Sequence, residues 1–176
     1  MKTISLPSHV YMHASPEEPV SQDVAVQHTL EARNNVNTVI SASLMIEREI
    51  EAIINNYLHP EEPPSEQKLF MAAHVLGSDL SFAAKRRMVV ALAKNKQWLD
   101  KKEAKAFDDL IIKVGKFRNA MAHGNVIERG QSTVLKYFES EPREFDLTDS
   151  FWDGVVETFT GAIESVERLK PKAKPV

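Results

Sequence analysis

Apolar residues recur three and four positions apart over most of this chain, and that spacing is the strongest constraint on what it can fold into. Val36, Val39, Ile40, Leu44, Ile50, Ile53, Ile54, Tyr57 and Leu58 form one stripe on a helix of about 3.6 residues per turn. The stripe predicts helix from about Ser21 to Leu58. Asn34 and Asn35 are poor residues for a helix interior, so the segment reads as two helices or as one with a weak point. The run HPEEPP, residues 59–64, closes it in a loop, because proline lacks the backbone donor that a helix needs.

The same period returns four more times. Ser65 has the position of an N-cap for a short helix carrying Leu69, Phe70, Ala73 and Leu76, which Gly77 ends. Ser81 caps the next, with Phe82, Met88, Val89 and Leu92 as its expected buried face. Asp100 and Glu103 have the spacing of a capping box. The helix they open puts Phe107, Leu110, Ile111, Val114, Phe117 and Met121 on one side. After Gly124 the period changes. VIERGQSTVLKYF, residues 126–138, has two β-prone runs about a turn at Gly130 and predicts a hairpin. Thr148 or Asp149 then caps a last helix with Phe151, Trp152, Val155, Val156, Phe159, Ile163, Val166 and Leu169 inward. The expected fold is all-α: an antiparallel bundle of four to five main helices, with a small β-hairpin before the last. Residues 1–20 read as an irregular, proline-punctuated lead-in, 21–170 as the bundle domain and 171–176 as a frayed tail.

Composition narrows the function classes. The 176 residues are 43% apolar and 27% charged, as in ordinary soluble globular proteins. The sequence contains no cysteine, which excludes disulfides, thiolate metal sites and cysteine nucleophiles. The first residues, MKTISLPSHVYMHASPEEP, lack the apolar core of a signal peptide. No stretch approaches the roughly 18 apolar residues of a membrane span, so a cytoplasmic protein is expected. The net charge of −3 conceals a segregation. Residues 1–84 hold 4 Lys/Arg against 11 Asp/Glu, whereas residues 85–129 hold 12 against 5. Such a block is commonly a set of solvated helix faces, but around a site it also suits an anionic ligand such as a phosphate backbone.

The basic block contains FRNAMAHG, residues 117–124. Helix termination explains much of it. Gly124 stands where a left-handed C-cap glycine belongs, and Arg118 and His123 meet the negative end of the helix dipole. Termination does not explain Asn119, a weak helix former beside the arginine. A chemical site explains all three. Histidine is suited to proton transfer, an arginine fork holds phosphate and stabilises charge developing on it, and Asn119 can orient the imidazole or a ribose hydroxyl. Arg118 and His123 are five residues apart, about 140° around an ideal helix. They share a site only if His123 swings off the axis at a fraying end.

The R-N-x-x-x-H spacing of Arg118, Asn119 and His123 resembles the R-x4–6-H signature of the HEPN superfamily, in its RN-x-x-AHG form. ASLMIEREIEAIINNYL (42–58) is similar to the first long helix of that family, and LSFAAKRRMVVAL (80–92) to the connecting segment of its mannitol operon repressor-like members. EFDLTDSFWDGVVETFTGAIESVERL (144–169) resembles the closing helix of abortive-infection-type members. The likeness spans roughly residues 36–170. It implies a homodimeric bundle in which two motifs approach, and a metal-independent endoribonuclease acting as a toxin or antiphage effector. Arg118 and His123 would then be the catalytic pair, with Asn119 auxiliary and Glu47 or Glu49 a helix-one acid. RNA would be the substrate, an antitoxin or other regulatory protein a partner, and no cofactor or metal would be needed. The superfamily also contains regulators and adaptors without chemistry, so a non-catalytic protein binding a nucleotide, nucleic acid or a protein partner is the alternative.

The other candidates are weaker. Lys113, Lys116 and Arg129 are secondary candidates for RNA or phosphate contacts. Lys85, Arg86 and Arg87 could touch a phosphate backbone, although a solvated helix face is the commoner role. His9 and His13 lie in the lead-in, His59 adjoins Pro60, and His74 reads as packed in its short helix. His9 and His13 have helical i, i+4 spacing but no glutamate of an HExxH between them, and read as surface residues; neither His59 nor His74 has a second ligand at useful spacing. Asp108 and Asp109 point to different helix faces, which argues against a paired-carboxylate site. Trp98 and Trp152 are expected as core or interface anchors.

Overall fold

The computed structural model describes residues 3–6, 24–58, 66, 70, 80–129 and 132–173. Its helices are α1 (Val24–Leu58), α2 (Phe82–Asn95), α3 (Lys101–His123) and α4 (Asp149–Leu169), followed by a 3-10 turn at Lys170–Ala173. Three strands stand between α3 and α4: β1 (Asn125–Arg129), β2 (Ser132–Phe138) and β3 (Pro142–Asp146). The chain is mostly helical with a small antiparallel sheet, which bears out the coarse expectation. The structure divides into two compact units, Met1–Ser43 with Lys116–Phe159, and Leu44–Gly115 with Thr160–Val176.

In the first unit α1 is unbroken across Asn34 and Asn35. Asn35 is fully buried, and its side-chain oxygen accepts the backbone N–H of Ile4 at 2.9 Å. The supposed weak point is therefore a docking site. Ile4 and Leu6 are buried, so this stretch of the expected lead-in belongs to the packed unit. The expected hairpin is a three-stranded sheet in the order β1-β2-β3. Val126 opposes Leu135, and Leu135 opposes Phe145 on β3. Residues 144–146, read from the sequence as part of the closing-helix pattern, are strand. Phe145 explains the change, because a ladder place opposite the fully buried Leu135 lets it enter an aromatic cluster. The ring centroids of Tyr137, Phe117 and Phe151 lie 5.1, 6.2 and 5.2 Å from that of Phe145, the spacing of favourable aromatic pairs. Thr148 caps α4: its hydroxyl accepts from Phe151 N–H at 3.2 Å and its carbonyl from Trp152 N–H at 3.1 Å. Trp152 is fully buried, as expected of a core anchor. The Gly130 turn lies outside the described residues.

In the second unit Ser81 caps α2, accepting from Ala84 N–H at 3.2 Å. Asp100 and Glu103 form the reciprocal capping box at 2.7 and 2.9 Å. The buried face of α2 differs from expectation. It is Lys85, Val89, Val90 and Ala93, with Phe82, Met88 and Leu92 only half-buried. Lys85 is neither solvated nor available to a phosphate. Its ammonium, 3% exposed, donates to Glu47 at 2.7 Å and to Glu51 at 2.5 Å. Burial pulls this ammonium toward its neutral form, but the hydrogen bonds and charges of the two carboxylates outweigh it and hold its pKa above the ordinary lysine value. Arg86 pairs with Asp108 at 2.5 Å, and Lys105 with Asp109 at 2.8 Å. The adjacent aspartates thus serve different partners. Trp98 meets Tyr57 edge-on, with centroids 6.1 Å apart. The segment expected to fray is held as far as residue 173: Lys172 donates to the Trp98 carbonyl at 2.5 Å and Ala173 is buried. The helix proposed for Ser65–Gly77, apart from Glu66 and Phe70, lies outside the described residues, as do His9, His13, His59 and His74. Glu66 and Phe70 are helical.

Removing one member of a buried ion cluster leaves the others uncompensated. Lys85→Met should therefore destabilise the protein by about 3–5 kcal/mol, measured as a lower midpoint of urea unfolding. A group whose pKa is raised on folding contributes fully below its unfolded value and loses that contribution only above it. The loss on Lys85→Met should accordingly be equal at pH 6 and pH 8.

Candidate nucleic-acid groove

The FRNAMAHG segment is helix through His123. The fraying that would bring Arg118 and His123 together does not occur, because Ala120 and Met121 are buried and hold the last turn. The glycine that follows has a different role from the one its position suggests. Its backbone is not left-handed. A Cβ at Gly124 would instead collide with the Ala120 carbonyl and lie 2.7 Å from Leu135 Cδ1 and 3.0 Å from the Lys136 carbonyl. Glycine is needed here because β2 passes against the end of α3 with no space for a side chain.

That close passage forms a groove. Lys116, Asn119 and His123 line it from α3, Tyr137 and Phe138 from β2, Glu139 from the turn, and Arg143 and Phe145 from β3. Its volume is about 460 Å³, within the roughly 300–1,000 Å³ range of ligand sites. The three α3 residues are spaced three and four apart, so they lie within about 60° of one another around the helix. All three are exposed. Tyr137 and Phe145 stack, their planes inclined by 26°. Phe138 is 70% exposed at the end of β2. Arg143 lies 3.5 Å from Glu139 and 3.3 Å from Glu141. Exposed pairs of this kind are worth little, so either glutamate is readily displaced by a stronger anion.

Of the residues expected from the sequence, the groove gathers Asn119, His123 and Lys116. Arg118, about 100° from Asn119 and 140° from His123 around the helix, is half-buried and does not line it. Lys113 is exposed on α3 outside it. Arg129 is engaged on the sheet, its guanidinium forking onto Glu144 at 2.6 and 3.3 Å. Those hydrogen bonds hold the Glu144 carboxyl below the ordinary carboxylate range. Glu47 is committed to Lys85, and Glu49 to Lys170 at 2.7 Å. Among the described residues no three His, Asp or Glu side chains gather where they would hold a metal ion, and no helix is long and apolar enough to cross a membrane.

The sequence reading missed Tyr137, Phe138, Arg143 and Phe145 as site residues. Their signal was present in YFESEPREF, residues 137–145, where aromatic and charged residues flank a short acidic turn. No protein-family model, curated protein or solved structure matches the chain.

The close passage at Gly124 is testable. Gly124→Ala should lower stability by about 1–3 kcal/mol, the usual cost of overpacking. Gly124→Asn should be worse than alanine, since it adds volume, whereas a left-handed position would tolerate asparagine better. Thermal unfolding of the two variants distinguishes crowding from backbone conformation.

Proposed function

We propose that this protein is a metal-independent endoribonuclease on a HEPN-type antiparallel helical bundle, with the groove as its RNA site. The observation that carries the reading is the convergence of an imidazole, two cationic side chains and three aromatic rings on one groove. Cations track a phosphate backbone and aromatic faces take bases, a combination used by RNA-binding surfaces. His123 would accept the proton of a ribose 2′-hydroxyl as its oxygen attacks the adjacent phosphorus. The bond from phosphorus to the 5′-oxygen then breaks, leaving a 2′,3′-cyclic phosphate, and water protonates the departing oxygen. Lys116 and Arg143 would stabilise the extra negative charge on the phosphorus oxygens. Asn119, one turn before His123, would orient the imidazole or the attacking ribose. As a cytoplasmic toxin or antiphage effector, the enzyme would have an antitoxin or other regulatory protein to restrain it.

Arg118 enters this scheme through the homodimer that the HEPN likeness implies. Lying outside its own groove, it would serve the site of a second copy. The same position favours the alternative of a non-catalytic regulator or adaptor, in which the groove binds a nucleotide or RNA without cutting it.

Incubation of the purified protein with mixed RNA in EDTA separates the two. Cleavage should survive chelation and fall by at least about 100-fold in His123→Ala, the scale of a lost general base. Arg118→Ala should lose activity as well, and mixing the two inactive variants should restore part of it if Arg118 acts across a dimer. A wild type as inert as both variants, with the fold intact, would retire the ribonuclease in favour of the adaptor.

A further inference from the structure

Glu139 is the groove residue that the ribonuclease scheme leaves without a task. Its charge repels a phosphate backbone, so a groove that only held a polyanion would be better without it. Two observations place its carboxylate on the groove side of the sheet. Tyr137 stands opposite Arg143 in the β2–β3 ladder, and Glu139, two residues after Tyr137, keeps the same alternation and lines the groove. Its Oε2 lies 3.5 Å from Nη1 of Arg143, an ion pair too long for a strong hydrogen bond. Arg143 donates to Glu141 instead, at 3.3 Å. Among the described residues the Glu139 carboxylate therefore accepts no hydrogen bond, and its side chain is 49% exposed.

We infer that Glu139 selects guanine as the base beside the phosphate held by Lys116 and Arg143. The inference rests on the RNA reading above and adds which base the groove accepts. An ionised carboxylate only accepts hydrogen bonds and offers two oxygens side by side. Guanine alone among the four RNA bases presents two N–H donors side by side on its Watson–Crick edge, at N1 and at the 2-amino group. Adenine and cytosine place a bare ring nitrogen beside their amino group, and uracil flanks its one N–H with carbonyls. Each of these would set an acceptor against the second carboxylate oxygen. Phosphate contacts position a nucleic acid and base contacts specify it, and here the two are linked. A phosphate that takes Arg143 releases Glu139 from its exposed ion pair and frees it for the base.

Fluorescence anisotropy with labelled 2′-O-methyl oligouridines, which lack the attacking hydroxyl, reads binding without cleavage. One strand is all uracil, and the others carry a single central guanine, adenine, cytosine or hypoxanthine. The wild type should bind the guanine strand roughly 5- to 150-fold more tightly than the all-uracil strand, the discrimination of one bidentate pair. Hypoxanthine, which keeps the N1 donor and lacks the amino group, should fall between them. Glu139→Gln should abolish the guanine advantage without weakening the all-uracil strand, since it removes a charge that opposes phosphate. Lys116→Gln should weaken every strand by the same factor and leave their ratios unchanged. Equal binding of all strands by the wild type overturns the selectivity while the RNA reading stands. A guanine advantage that survives in a folded Glu139→Gln overturns the role of Glu139. A wild type that binds none of the strands overturns both the inference and the reading beneath it.

Discussion

The groove depends on the contact between the backbone of Gly124 and the second strand. Because the residue after His123 carries no side chain, β2 passes against the last turn of α3 at van der Waals distance. The register that follows is strict. With Asn125 opposite Lys136 and Leu135 opposite Phe145, the alternation of a strand turns Leu135, Tyr137, Arg143 and Phe145 to one face. A shift by one residue would send this set to the other face. It would remove Phe145 from its partners Phe117 and Phe151 and take Tyr137 and Arg143 out of the groove. Packing and site composition are thus coupled through one glycine.

The same rigidity governs what the groove can hold. A helix that remains regular to its final residue presents one narrow face, and Lys116, Asn119 and His123 occupy it. Arg118 is excluded by the helical period alone. Sequence adjacency therefore misleads in both directions here. The arginine five residues from the histidine is on another face, while Arg143, 20 residues away, is brought beside it by the sheet. The basic block of residues 85–129 is likewise altered by folding. Lys85, Arg86, Lys105 and Arg129 each engage a carboxylate, so part of the charge excess visible in the sequence is neutralised locally.

What the sequence showed and what it hid follow from range. Capping by Ser81 and by the Asp100–Glu103 box, the long α1, most of the inward face of α4 (Phe151, Val156 and Ile163 are only half-buried) and the change of period after Gly124 are local properties, and were legible. The failures are long-range. Asn35 looks like a weak point until Ile4, 31 residues earlier, donates to it. Lys85 looks solvated until Glu47 and Glu51 on α1 enclose it. Gly124 is legible as obligatory but not for its reason, since left-handed backbone and close approach both demand glycine. Of the site, Asn119, His123 and Lys116 were expected. The aromatic half was not, because Phe145 fell between the expected hairpin and the expected helix cap at Thr148 or Asp149, and Phe138 carries no pattern of its own.

The groove's internal ion pairs bear on how such a surface can be both basic and restrained. Arg143 is the cation contributed by the sheet, and it faces Glu139 and Glu141 at 3.3–3.5 Å. Pairs so exposed contribute about 0–1 kcal/mol, whereas an arginine fork on a phosphate gains two parallel charge-assisted hydrogen bonds. The glutamates therefore weaken the groove's attraction for small anions without preventing exchange for a polyanion that also engages Lys116. On the RNA reading proposed above, a strand that places a phosphate between Lys116 and Arg143 would gain contributions that neither glutamate can match. If the groove takes RNA as proposed, selectivity for a polymer over its monomers would follow from combining several weak contacts, with no single strong one required.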